Sequence, residues 1–124
     1  MLLIDTNVFV DFLRNYPPAV DFFDGIALRD DILFSAVTEA ELLAGKANDD
    51  TEKREKLLHL LYRWTKAPVA NPLAREAGDI SRQYGLEVPD AMIAATALSH
   101  DAELMTRNVK DFRRIPQIRV RAPY

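Results

Sequence analysis

Short apolar runs, each too brief for a helix and each followed by residues at helical spacing, recur along the whole chain. Leu2 to Ile4 form the first run and stop at Asp5; Ile32 to Phe34, Ala67 to Ala70, Glu103 to Thr106 and Gln117 to Val120 follow as further strands. Between them, Asn7 to Arg14 place Val8, Phe9 and Phe12 on one helical face, and Pro17 and Pro18 end that helix and open another carrying Val20, Phe22, Phe23 and Ile26. A third helix starts at Thr38 and stops near Gly45. A fourth is capped by Asp50 or Thr51 and turns Leu57, Leu60, Leu61 and Trp64 inward. Asn71-Pro72 opens a fifth that Gly85 ends, and Pro89 to Ser99 make a sixth. Strands that alternate with helices pack as a parallel sheet covered on both faces. The expected architecture is therefore α/β, one domain over residues 1–124 with about five short parallel strands.

The 124 residues, 48 % hydrophobic, supply one core and would starve a second. There is no cysteine, which removes disulfides, thiolate catalysis, zinc–thiolate sites and iron–sulfur clusters, and fits a reducing cytoplasm. Two histidines, His59 and His100, are too few for a histidine-built metal site, so any metal is held by oxygen, as magnesium or manganese is. The start MLLIDTN lacks the basic residues of a signal peptide, and no apolar run approaches the ~20 residues of a membrane span. A net charge of -3 excludes a strongly basic, purely electrostatic nucleic-acid binder.

Open parallel sheets bind ligands beyond the carboxyl ends of their strands. Asp5 ends the first strand, Glu41 lies in the first turn after the second, and Asp111 lies in the loop after the fourth, which puts all three at one rim. Asp90 opens the helix that feeds the fourth strand; about ten helical residues rise about 15 Å, the height of a short strand, which returns Asp90 to the same rim. Carboxylates so gathered resist ionising together unless a divalent cation joins them. A cation of this kind activates water and offsets charge on a phosphodiester, so that an acidic pocket is able to cut an acidic polymer.

Each acid has a structural alternative. Asp5 or Thr6 caps the helix near Asn7; Thr38 and Glu41 make a T-x-x-E capping box; Asp90 is favoured by the helix dipole; Asp111 is a turn residue. Asp11, Asp79 and Glu39 read as surface acids, and Phe22, Phe23, Tyr62 and Trp64 as core or dimer contacts. From Arg107 to Tyr124, six basic side chains against Asp111 alone leave the segment at +5 and the rest of the chain at -8. Such an edge either holds an RNA backbone, notably through Arg107, Lys110 and Arg113, or is a solvated face or a docking surface for an acidic partner.

Four segments, LLIDTNVFVDFL at 2–13, SAVTEAELLAG at 35–45, PDAMIAATAL at 89–98 and LMTRNVKDF at 104–112, together resemble PIN-domain nucleases, and more closely the VapC-type toxins of toxin–antitoxin pairs. The order and spacing of the segments extend the resemblance over nearly the whole chain. It implies a magnesium- or manganese-dependent endoribonuclease that is homodimeric and is held in check by a VapB-like antitoxin. The family's acids fall on Asp5, Glu41 and Asp90, with Asp5 and Asp90 as metal ligands. The last motif falls on Thr106, Asn108 and Asp111; many members have an acid where this chain has Asn108, which leaves Asp111 as the fourth acid. Thr6, Asn7, Thr106 and Asn108 are read as supporting residues. Two other functions share parts of the pattern: a receiver-like domain phosphorylated on aspartate, which needs an acid pair after the first strand where this chain has Asp5 followed by Thr6 and Asn7, and a PIN-like fold that binds without cutting.

Overall fold

In a computed structural model covering residues 1–124, the chain forms five strands and seven helices. The strands are β1 (Leu2–Ile4), β2 (Ile32–Ser35), β3 (Thr65–Ala67), β4 (Glu103–Met105) and β5 (Val120–Arg121). Their order is β3-β2-β1-β4-β5 and every pairing is parallel. The helices are α1 (Thr6–Leu13), α2 (Pro17–Ile26), α3 (Ala36–Leu43), α4 (Thr51–Leu61), α5 (Asn71–Tyr84), α6 (Val88–Ser99) and the four-residue α7 (Val109–Phe112). The α/β architecture expected from the sequence, about five short parallel strands between helices, is the one observed. No helix is long and apolar enough to cross a membrane.

The sheet's two covered faces explain why the central strands β1 and β2 are almost wholly apolar, while β3 and β5 at the edges carry Lys66 and Arg121. Side chains alternate along a strand. Leu3, Leu33 and Leu104 enter one core with Leu73, Ala77 and Ile80 of α5 and Ile93, Ala94 and Ala97 of α6. Leu2, Ile4, Ile32, Phe34 and Met105 enter the other with Val8 and Phe9 of α1, Phe23 and Ile26 of α2, and Leu57 and Leu61 of α4. Phe9 anchors that second core, with its ring centroid 5.3 Å from Phe23 and 5.8 Å from Trp64. Phe22 and Trp64 are half-buried against it, whereas Tyr62 points to solvent. Gly85 adopts φ 70°, a left-handed conformation that stops α5 as anticipated.

Several expected boundaries move. Ser35, at the end of β2, caps α3 by accepting from the Val37 amide, so α3 starts at Ala36 and not at Thr38. Thr38 and Glu41 therefore form no capping box, because both already lie inside the helix. Gly45 has φ -67°, an ordinary value, and opens the 3₁₀ turn Lys46–Asp49. Asp50 is the cap of α4, accepting from Glu52 and Lys53. Ala70, not Asn71, precedes α5. β3 is Thr65–Ala67 where Ala67 to Ala70 was expected, and β5 is Val120–Arg121 where Gln117 to Val120 was expected.

Candidate active site

The strand order places a topological switch between β1 and β4: the chain leaves β1 toward β2 on one side and β4 lies on the other. Connections diverge there, and the crevice they leave beyond the strand ends is where such sheets bind ligands. Asp5 follows β1 and Thr106 follows β4, one on each side of that crevice. The Asp5 amide donates to Met105 O at 3.0 Å, which extends the ladder by one residue and fixes the aspartate at the rim.

Asp5 is 4 % exposed. One carboxylate oxygen accepts from the Thr6 amide at 2.8 Å, so Asp5 caps α1; the other accepts from the Thr106 hydroxyl at 2.7 Å. Capping and site membership are thus compatible, with both oxygens oriented by neutral donors and neither held by a cation. Thr106 is fully buried and its hydroxyl oxygen also accepts from the Asn108 amide at 3.0 Å. Asn7 reaches the same oxygen at 3.5 Å, and its own carbonyl oxygen accepts from the Arg107 amide at 3.4 Å.

Glu41 is exposed at the mouth. The Thr6 hydroxyl donates to it at 2.8 Å and stands 2.9 Å from the hydroxyl of Thr38, which is fully buried. Sequence reasoning missed this use of Thr38, since a threonine three residues before a glutamate reads first as a cap. Asp90 lies in the first turn of α6 and is half-buried. Asp111, on α7, is partly buried and paired with Arg114 at 3.0 Å. Asn108 sits at the start of α7.

Charge ties these acids into one basin. Burial pushes the Asp5 carboxyl up to about 6; the bonds from Thr106 and Thr6 oppose this, and the negative charges of Asp90 and Glu41 add to it. Asp90 is also raised, first by burial and then by Glu41, Glu87 and Asp111. Asp5, Glu41 and Asp90 have no basic partner within ion-pair distance. A gathering of oxygen donors with negative charge left uncompensated fits a hard divalent cation. No three acidic side chains converge tightly enough to form a closed cage.

The basic edge is less free than its composition suggested. Arg107 pairs with Asp11 at 3.0 Å, Arg114 with Asp111, Arg119 with Asp101 at 3.3 Å and Arg121 with Glu103 at 3.1 Å. Lys110 and Arg113 are exposed and carry no ion pair. Asp11, expected at the surface, is only 7 % exposed, because it faces Arg107 and the Tyr124 hydroxyl. Glu39, expected to be solvated, pairs with Lys66 at 3.0 Å. Asp79 is exposed as expected.

Comparison with known proteins places these features in context. Residues 2–118 match the PIN domain family. The chain is 36 % identical over 124 residues to Ribonuclease VapC19 of Mycobacterium tuberculosis, covering 95 % of this chain and 97 % of that protein. Its fold superposes with a TM-score of 0.82 and 30 % identity on a chain of a toxin–antitoxin complex from Klebsiella pneumoniae, covering 100 % and 98 % of the two chains. A chain of FitAcB from Neisseria gonorrhoeae gives a TM-score of 0.79 at 28 % identity, covering 99 % and 98 %.

Proposed function

The chain belongs to the PIN-domain family of VapC-type ribonuclease toxins, and from that premise we propose that it hydrolyses RNA phosphodiester bonds with magnesium or manganese held at Asp5 and Asp90. The observation that carries this reading is the uncompensated acidic basin at the β1/β4 switch point, whose deepest carboxylate is buried without a cation. When bound, the ion supplies a water acidified enough to attack phosphorus and positive charge against the phosphoryl oxygens.

The chain's own residues do the positioning. Thr106 and the Thr6 amide fix the two oxygens of Asp5, which leaves its remaining lone pairs for the cation. Thr6, braced by Thr38, holds Glu41 at the mouth, where its carboxylate orients or deprotonates the attacking water. Asp111, tethered by Arg114, completes the acidic set from the α7 side, and Asn108 opens that turn. Lys110 and Arg113, free of acidic partners, are the backbone contacts for RNA, whereas the guanidinium of Arg107 is engaged by Asp11.

Two further parts of the reading rest on the family. The solved relatives include a toxin–antitoxin complex, which supports assigning this chain a cognate VapB-like antitoxin; that the antitoxin covers the site, that the chain is a homodimer and that it works in the cytoplasm are inferred from the family resemblance alone. A receiver-like function is disfavoured by topology, since receiver-type sheets run 2-1-3-4-5 and this one runs 3-2-1-4-5. Purified protein is expected to cleave RNA in magnesium, to stop in a chelator and to lose cleavage in Asp90→Asn while remaining folded. Cleavage that persists in the chelator and in Asp90→Asn refutes the assignment.

A further inference from the structure

The loop from Thr106 to Asn108 carries the hydroxyl that orients Asp5, and its middle residue is anchored twice to α1. The Arg107 amide donates to Asn7, and its guanidinium Nε lies 3.0 Å from Oδ2 of Asp11, about one and a half helical turns beyond Asp5. The Tyr124 hydroxyl donates to the same Asp11 oxygen at 2.5 Å. Tyr124 in turn packs its ring edgewise on Tyr16, at 5.8 Å. A cavity of about 350 Å³ opens beside this cluster, lined by Asp11, Tyr16, Arg107, Ala122 and Tyr124. Close packing therefore does not hold the guanidinium on its outer side, and its bond to Asp11 sets its place.

Asp11 is buried, and its carboxylate is met by the Arg107 guanidinium and the Tyr124 hydroxyl; a charge-assisted bond of this kind is stronger than a neutral one. The pair is thus costly to separate, and separating it would free the loop at its midpoint. Thr106 is the next residue and donates to Asp5 from the same backbone segment. We propose that Asp11 is a positioning residue of the acidic site: through Arg107 it fixes the Thr106–Asn108 loop so that Thr106 keeps its bond to Asp5. Tyr124 closes the arrangement from the C-terminal strand side. The proposal rests on the metal-dependent reading given above, and it assigns Arg107 to the loop and not to RNA.

The test is calorimetric titration of Mn²⁺ into the full chain near pH 7.5, without RNA, alongside melting curves. Wild type is compared with Asp11→Asn, Arg107→Ala, Arg107→Lys and the Asp11→Asn/Arg107→Ala double variant. Partners that touch a metal ligand directly change affinity about 10- to 100-fold. Asp11 acts one step further out, so each of Asp11→Asn and Arg107→Ala is expected to weaken Mn²⁺ binding by about threefold to tenfold. Arg107→Lys should recover part of the loss, and the double variant should bind no more weakly than the weaker single one, as members of one unit do. An Arg107 that grips RNA would instead raise KM and leave metal affinity alone. Unchanged Mn²⁺ affinity in a folded Arg107→Ala protein, or fully additive losses in the double variant, overturns the proposal. Arg107 is half-exposed, so its truncation carries the test even if Asp11→Asn fails to fold. Wild type that binds no Mn²⁺ overturns the metal reading and this inference together, whereas binding that no variant alters overturns this inference alone.

Discussion

Asp5 and Asp31 sit at opposite rims of the same sheet and are treated in opposite ways. Asp31 directly precedes β2 and is gripped by Arg29 through two bonds of 2.8 Å, with the Met1 amino group at 3.0 Å. Hydrogen bonds from these cations hold its carboxyl well below the usual range. Asp5 follows β1, is buried, receives only a hydroxyl and an amide, and is pushed up to about 6. At Asp31, which serves the cohesion of the fold, the cations come from within the chain. At the switch-point rim the chain supplies oriented neutral donors and leaves the charge unmet, which is the arrangement a cation from solution completes. Asp11 belongs with Asp31 in this respect, since Arg107 neutralises it.

The contrast is most open to attack at Asp5 itself. Asp5→Asn keeps the shape and removes the charge; it is expected to lower RNA cleavage by more than about a hundredfold. In chelator at neutral pH its melting temperature should equal or exceed wild type, because a neutral amide is cheaper to bury than a carboxylate. A large drop in melting temperature would instead make Asp5 a structural residue. One step milder, Thr106→Val deletes the hydroxyl that orients Asp5, and Mn²⁺ affinity should fall about 10- to 100-fold in a direct titration. No change would show that the bond does not prepare the site.

Acid–base linkage also separates the two aspartates. Asp5 is raised from 3.8 to about 6, so between those values the folded state binds more protons than the unfolded chain. The metal-free protein is therefore expected to lose stability as pH rises from 4 to above 6, by about 3 kcal/mol. Asp90, also raised, acts in the same direction. Melting curves in chelator across this range measure the loss, and saturating Mn²⁺ at the upper end should reverse it, since it then takes the proton's place. Stability that climbs steadily over the same interval would contradict the assigned environment of Asp5. The smallest effect is expected at the other rim: Arg29→Ala should leave cleavage unchanged and shift the melting temperature only slightly, with the shift fading in high salt because the pair is at the surface.

Much of this arrangement was legible in the residues, and the misses among the polar side chains share a cause. The runs at Leu2, Ile32 and Leu104 gave their strands because both sheet faces are covered, so their buried positions are almost all apolar. The gathering of Asp5, Glu41, Asp90 and Asp111 at one rim followed from strand direction and helix length alone. Local rules failed where a side chain's partner is distant. Thr38 reads as a cap in its own segment, yet its hydroxyl turns to Thr6, 32 residues earlier. Asp11 reads as a surface acid on a short helix, yet it meets Tyr124 from 113 residues away. Likewise, six basic residues near the C-terminus read as one patch until four of them find acidic partners. The four residues of α7 are too few to reveal a period.

The unmet charge around Asp5 and Asp90 is read as a seat for a divalent ion. Titration of Mn²⁺ into wild type and Asp5→Asn at pH 7.5 decides whether it is one. Saturable heat in wild type that disappears with the amide is the expected result; equal binding by both proteins, or binding by neither, would contradict it.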